Sequence, residues 1–275
     1  MPATILSIDV EEWYHLNYSS MDAIQNRRWE SRVRANTEFL LTLMDECNAK
    51  ATFFFLGSVA ESHPDLVLEV QRRGHEIASH GYAHQLIYRQ TREEFYQDVK
   101  RSVDILRETT GQVVKGFRAP SWSISREKTP WVYEVLSEVG LSYSASLFPY
   151  TTYLYGDGTA PVKPFTLEVM GRRFFEVPAT VLDIGWTRFP YSGGFYFRLL
   201  PSWVIQWAIR RTHRHAQPVI LYLHPREIDP DQPRLPLAKK DYFVTYVNLK
   251  STAQKLKNIL QKYPTITISR YLELE

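Results

Sequence analysis

His80 and His84, in Ser79-His80-Gly81-Tyr82-Ala83-His84, carry the strongest chemical signal in the sequence. On a helical turn this spacing puts both imidazoles on one face, about 6 Å apart at Cβ, where they can share one metal ion. Taken alone, such a pair is more often two unrelated surface histidines. Other polar groups stand at the ends of apolar runs. Asp9 and Glu11 close Thr4–Val10, Arg118 follows Gly116-Phe117, Asp183 follows Val181-Leu182, and His224 closes Val219–Leu223. Carboxylates and imidazoles are the ligands of zinc and related cations. They are also the groups that take and give protons near neutral pH.

These groups are far apart in sequence, so the elements must gather them. Short apolar runs at 4–10, 51–56, 75–79, 116–118, 142–145, 174–178 and 219–224 read as strands, with a last short strand at 265–269. Between them, helical spacing covers 31–48, 64–73, 91–109, 127–139, 199–214 and 249–262. Thr91 and Glu94 have the spacing of a capping box. Strands alternating with helices imply parallel βαβ units, and hence an α/β fold closed into a barrel or near-barrel. Chemistry in such folds sits at the carboxyl ends of the strands, where these polar residues fall. With no repeat and no clear linker, residues 1–275 read as one domain.

Composition excludes several classes. The chain has 275 residues, 44% hydrophobic and 23% charged, as in an ordinary globular protein. Lys and Arg number 33 against 30 Asp and Glu, which gives no reason to expect a nucleic-acid partner. The single cysteine, Cys47, excludes an intramolecular disulfide and a multi-cysteine zinc cluster. No apolar run is long enough for a transmembrane helix. The start, MPATILSIDVEEW, lacks the pattern of a secretory signal, so a cytoplasmic location is expected. Aromatic residues reach 14%, enough to line a sugar site as well as fill a core.

The run GHEIASHGYAH resembles the metal-binding motif of the polysaccharide deacetylases, the NodB-homology group of carbohydrate esterase family four. Three further motifs are similar and in the family's order: Ser7-Ile8-Asp9-Val10-Glu11, Arg118-Ala119-Pro120 and Leu223-His224. Glu176-Val177-Pro178, Ser192-Gly193-Gly194-Phe195 and His224-Pro225-Arg226-Glu227 are similar to a bacterial subgroup from exopolysaccharide and exosortase loci. The resemblance implies a distorted, seven-stranded (β/α) barrel with residues 240–275 as a C-terminal extension. It implies a metal-dependent hydrolase, zinc being the expected metal, that removes an N-acetyl group from an amino sugar in a glycan or a sugar precursor. Asp9 would be the general base, Arg118 its partner, His224 the general acid, and Asp183 the acid that tunes His224.

One position departs from the family. Its first motif is usually Thr-Phe-Asp-Asp-Gly, with the second Asp on the metal, and here Val10 stands at that place. Strand alternation puts Asp9 and Glu11 on one face. Glu11, His80 and His84 are therefore the expected ligands, with Asp9 as ligand still open and Glu12 a weaker candidate. Trp13, Pro120, Trp122, Trp186 and Tyr191 are the expected sugar-binding residues, with Tyr191–Phe197 a flexible aromatic loop over the substrate. Each has a plain packing role as its rival. The competing functions are another carbon–nitrogen hydrolase on the same fold (an imidase, an allantoinase-like enzyme or a sugar deformylase) and an inactive carbohydrate-binding homologue.

Overall fold

The computed structural model of the chain describes residues 2–18, 29–125 and 127–275. In chain order the first elements are β1 (Thr4–Val10), α1 (Val33–Glu46), β2 (Thr52–Phe55), α2 (Gly57–Ser62), α3 (Pro64–Arg72), β3 (Glu76–Ser79), α4 (Arg92–Thr110) and β4 (Gly116–Phe117). Then come α5 (Val132–Glu138), β5 (Tyr143–Ser144), β6 (Phe165–Val169), β7 (Arg172–Glu176), β8 (Val181–Asp183) and β9 (Arg188–Pro190). The last are α6 (Gly194–Leu199), α7 (Ser202–Arg214), β10 (Val219–Leu223), α8 (Lys239–Tyr246), α9 (Leu249–Leu260), β11 (Thr265–Ile266) and α10 (Ile268–Tyr271).

The main sheet runs β10-β1-β2-β3-β4-β5-β7-β6, with β11 also on β1. From β10 to β7 the pairs are all parallel, which makes seven strands, and β6 is antiparallel to β7. The path ends at β10 and β6 rather than closing on itself, so the fold is a curled near-barrel. Parallel strands are buried on both faces, which is why TILSIDV, TFFF and VILYL read as nearly unbroken apolar runs. Leu6, Ile8 and Val10 of β1 pack outward with Leu40, Val67, Val103 and Leu256 of the surrounding helices. Ile5 packs on the other face with Phe54, Tyr143 and Ile220. The period of two then turns Ser7 and Asp9 inward as well.

Several boundaries differ from expectation, each for a local reason. Thr91 and Glu94 form the full capping box at the start of α4, and Gly111 ends that helix with φ 67°. The expected helix over 199–214 is α7, which starts only at Ser202 because Pro201 separates it from the short helix α6 before it. The expected strand over 265–269 keeps only β11, because the Thr267 hydroxyl accepts from Arg270 N–H and starts α10. The helix α8 and the hairpin β8–β9 carry no clear sequence period. Gly193-Gly194 is not a flexible loop: a Cβ on Gly193 would lie 2.2 Å from the Tyr222 carbonyl oxygen, so glycine permits close backbone packing there. Among the described residues, no helix is long and apolar enough to cross a membrane.

Candidate active site

Four strand ends meet at one cavity of about 400 Å³. Asp9 and Glu11 enter from β1, His80 and His84 from the loop after β3, Ala119 and Trp122 from the turn after β4, and His224 from the end of β10. The His80–His84 segment is not helical, contrary to the sequence expectation. Gly81 adopts φ 76° and His84 φ 55°. Asp98 of α4 holds the bend, accepting from Tyr82 N–H at 2.7 Å and Ala83 N–H at 3.2 Å. A Cβ on Gly81 would lie 2.7 Å from Asp98 Oδ2, so the bend needs glycine there. Asp98 has no sequence signal to separate it from the solvated acids of the same helix.

The bend still brings both imidazoles to Glu11. Glu11 Oε2 lies 2.6 Å from His84 Nε2 and 3.8 Å from His80 Nε2. All three residues are buried, and their ligand atoms lie within 4.8 Å of one another. His80 Nδ1 is 2.8 Å from the Arg118 carbonyl oxygen, which can only accept, so Nδ1 carries the proton and the Nε2 lone pair is free to ligate at the point it shares with Glu11. Glu11 Oε2 is buried without an aligned hydrogen bond. Burial alone would push the Glu11 carboxyl up, but His84, His224 and His80 outweigh it and hold it well below the usual range. Burial lowers His80 to about 4, so its ring is neutral at physiological pH. An ionised carboxylate and a neutral imidazole facing one buried point, with His84 beside them, suit a divalent cation.

Asp9 does not share that point. Its Oδ1 accepts from Arg118 Nη1 at 2.7 Å, and both side chains are almost wholly buried. Glu12 faces away, accepting from Arg32 N–H at 3.0 Å and from the Ser31 hydroxyl. His224 Nε2 lies 3.8 Å from both Asp9 Oδ2 and Glu11 Oε1. Burial lowers His224, but Glu11 and Glu227 outweigh it, and its pKa is raised. The acid beside His224 is therefore Glu227, with Oε2 at 3.1 Å from Nδ1, and not Asp183. Asp183 is exposed and accepts from Gly185 N–H at 2.8 Å in the β8–β9 turn.

Residues 22–143 match the polysaccharide deacetylase family, and residues 145–273 match a domain of unknown function (DUF3473). The deacetylase match thus takes in a little under half of the chain. The boundary between the two matched regions falls at β5, so one sheet runs through both. A peptidoglycan-N-acetylglucosamine deacetylase from Bacillus cereus is 31% identical over 36% of this chain and 36% of its own length. Chitin deacetylase 1 from Cryptococcus neoformans is 27% identical over 46% of this chain and 25% of its own length. The matched parts thus span about a third or less of these relatives. In structure, a polysaccharide deacetylase crystal structure from Mycobacterium smegmatis, itself titled putative, covers 99% of this chain and 89% of its own, at TM-score 0.64 and 18% identity. A pseudoenzyme of carbohydrate esterase family four from Bacillus anthracis covers 98% and 65%, at TM-score 0.53 and 13% identity.

Within this deacetylase fold, the expected sugar-binding aromatics part company. Trp122 lines the cavity, packed on Tyr222 and Phe148. Pro120 is buried in the turn that carries Trp122, whose Ser121 and Trp122 both adopt positive φ, 49° and 53°. Such strain in non-glycine residues clusters at functional sites. Trp13 is buried beneath the site, its Nε1–H donated to the Glu30 carbonyl at 3.0 Å. Tyr191 is core, its hydroxyl bonded to Thr212 Oγ1 at 2.8 Å. Trp186 is 86% exposed on the β8–β9 turn. The cavity wall is completed by Tyr196, from the aromatic stretch 191–197 expected over the substrate, and by Tyr18, Tyr153, Tyr155 and Phe243, which lie in stretches without a strand or helix period strong enough to place them.

Proposed function

We propose that the protein is a metal-dependent hydrolase that removes the N-acetyl group of an amino sugar, leaving a free amine and acetate. The observation that carries this reading is the convergence of Glu11, His80 and His84 with the Asp9–Arg118 pair and His224 on one cavity. In this reading Glu11, His80 and His84 hold a divalent cation, zinc for its ease with imidazole and carboxylate. The chemistry a bound cation supplies there is polarisation of the acetyl carbonyl and acidification of water.

The chain supplies the rest. Arg118 pairs with Asp9 and fixes one carboxylate oxygen, leaving Oδ2 turned toward His224. Asp9 Oδ2 takes the proton of the attacking water as its oxygen bonds to the acetyl carbon. His224 Nε2 gives a proton to the departing nitrogen as the C–N bond breaks. Its raised pKa keeps that proton available near neutral pH. Trp122 and the tyrosines offer faces to a sugar ring. Residues 240–275 belong to the same domain in this reading, supported by β11 pairing with β1.

The test is acetate release from N-acetylglucosamine oligomers by the zinc-loaded chain, with allantoin, cyclic imides and formylated amino sugars as alternative substrates. Turnover of one of those alternatives in place of the acetyl sugars would replace this reading. Stoichiometric binding of sugar without any turnover would leave a carbohydrate-binding protein.

A further inference from the structure

We infer that Arg198 and Glu227 are positioning residues for His224, and that they hold it by anchoring it to the main chain of α8. The inference rests on the deacetylase reading, in which His224 protonates the departing amine. Glu227 Oε2 accepts from the His224 main-chain N–H at 3.0 Å and lies 3.1 Å from His224 Nδ1. One oxygen therefore sets both the backbone and the ring of the same residue. With the Nδ1 proton directed to Glu227, Nε2 is the atom left facing Asp9 and Glu11 across the cavity.

Glu227 is held in turn. Its Oε1 accepts from Arg198 Nε at 2.8 Å. Arg198 Nη1 donates to the carbonyls of Thr245 at 3.1 Å and Val247 at 2.9 Å, and Nη2 donates to that of Val244 at 2.7 Å. These carbonyls lie at the carboxyl end of α8. Lys255 of α9 fixes the end of α6, donating to the carbonyls of Phe197, Arg198 and Leu200 at 2.9, 2.9 and 2.7 Å. Arg198 and Glu227 are almost fully buried.

A buried ion pair is a poor staple unless its remaining donors and acceptors are met, and here they are. A staple between α6 and α8 would need only Arg198 and the carbonyls. The second carboxylate oxygen on His224 is what a positioning role adds. All of these residues lie within the domain of unknown function. Its part in the reaction, on this reading, is to hold the proton donor against the deacetylase half of the sheet. A fork that meets a carboxylate and three carbonyls at once needs guanidinium, and an ammonium cannot replace it.

The experiment compares two substrates of the zinc-loaded full chain. The first is an N-acetylglucosamine oligomer, whose amine leaves only with a proton. The second is 4-nitrophenyl acetate, whose phenolate leaves without one. Arg198→Met should lower kcat on the amide about 100-fold with KM little changed, as general-acid loss does, and lower ester turnover less than about 3-fold. Arg198→Lys should not restore the amide rate. Glu227→Gln, nearly isosteric, should show the same split and decides the matter if Arg198→Met does not fold. Equal losses on both substrates, or an amide rate unchanged in either folded variant, would overturn the positioning role. A wild type that cleaves the ester but no N-acetyl sugar overturns the deacetylase reading itself.

Discussion

Arg118 grips Asp9 through its guanidinium, Nη1 to Oδ1 at 2.7 Å, while its own carbonyl accepts from His80 Nδ1 at 2.8 Å. One residue thus serves the base with its side chain and a candidate metal ligand with its main chain. The two roles separate under mutation. Arg118→Met leaves the Asp9 carboxylate buried without its partner, which costs about 3–5 kcal/mol. The carbonyl stays in place, so His80 keeps its tautomer. The expected variant melts well below wild type and loses deacetylation, yet retains near-normal zinc by elemental analysis. Loss of zinc together with activity would contradict the separation.

The same geometry divides Asp9 from Glu11. Glu11 shares a buried point with both imidazoles, while Asp9 is committed to Arg118. Glu11→Ala should abolish stoichiometric zinc. Asp9→Asn should bind zinc normally and lower kcat by at least about 100-fold, the contribution expected of a general base. Full zinc in Glu11→Ala would return Asp9 to the ligand set.

How far these groups were legible follows from the range of the interactions that place them. Asp9, Glu11 and His224 end apolar runs, and a period of two fixes their face from local sequence alone. His80 and His84 announce a shared ligand by spacing, although the bend that achieves it depends on Gly81 and on Asp98 from another element. Arg198 gives no local sign, because its partners lie 29 to 49 residues downstream. Asp183, Trp186 and Tyr191 follow apolar runs as site residues do, but among the described residues β8 pairs only with β9 and leaves the main sheet. The sheet continues from β3 to β7 only through β4 and β5, each two residues long, at the places that the short apolar runs 116–118 and 142–145 mark.

Acid should unfold the metal-free chain early. His80, His15 and His75 are held at about 4, each chiefly by burial, against 6.5 in the unfolded chain. Between those values the unfolded chain binds more protons, so stability present above pH 6.5 is lost as pH falls toward 4. The order of magnitude is about 3 kcal/mol for a fully buried histidine shifted this far. Glu11, held low, acts in the same direction, its contribution lost as pH falls below 4.5. His224, held high, acts in the opposite direction, its contribution present below 6.5 and lost as pH rises through its folded value. Urea midpoints of the chelator-treated protein should therefore fall between pH 7 and pH 5. A flat profile over that range would refute the burial of neutral histidines.

Glu176 carries a structural load that its motif does not reveal. Its carboxylate is fully buried, and Oε1 accepts from Ser146 N–H at 2.8 Å and Leu147 N–H at 3.0 Å. Tyr133 donates to Oε2 at 3.2 Å. Burial raises its pKa against these hydrogen bonds. Glu176→Ala strands two buried main-chain donors at about 1–3 kcal/mol each. Chemical denaturation should show a loss of about 2–6 kcal/mol, with Glu176→Gln retaining more because its carbonyl can still accept. An alanine variant as stable as wild type would mean that water takes over those donors.

The aromatic residues give a test that separates cavity from surface. Trp122 packs on Tyr222 and faces the cavity, whereas Trp186 is exposed on a turn that Asp183 closes through Gly185. A sugar ring that buries about 40 Å² of apolar surface on a tryptophan gains about 1 kcal/mol, at roughly 25 cal/mol per Å². Trp122→Ala should therefore raise KM for a glycan about 5-fold or more, since each 1.4 kcal/mol is tenfold in binding. Trp186→Ala and Asp183→Asn should leave kcat and KM within about twofold, because neither side chain lines the cavity. Asp183→Asn keeps the oxygen that accepts from Gly185, so the turn survives and any loss must be chemical. A kcat defect in Asp183→Asn with His224 intact would show that the hairpin swings onto the site during turnover, bringing a second carboxylate to the residue that Glu227 already holds.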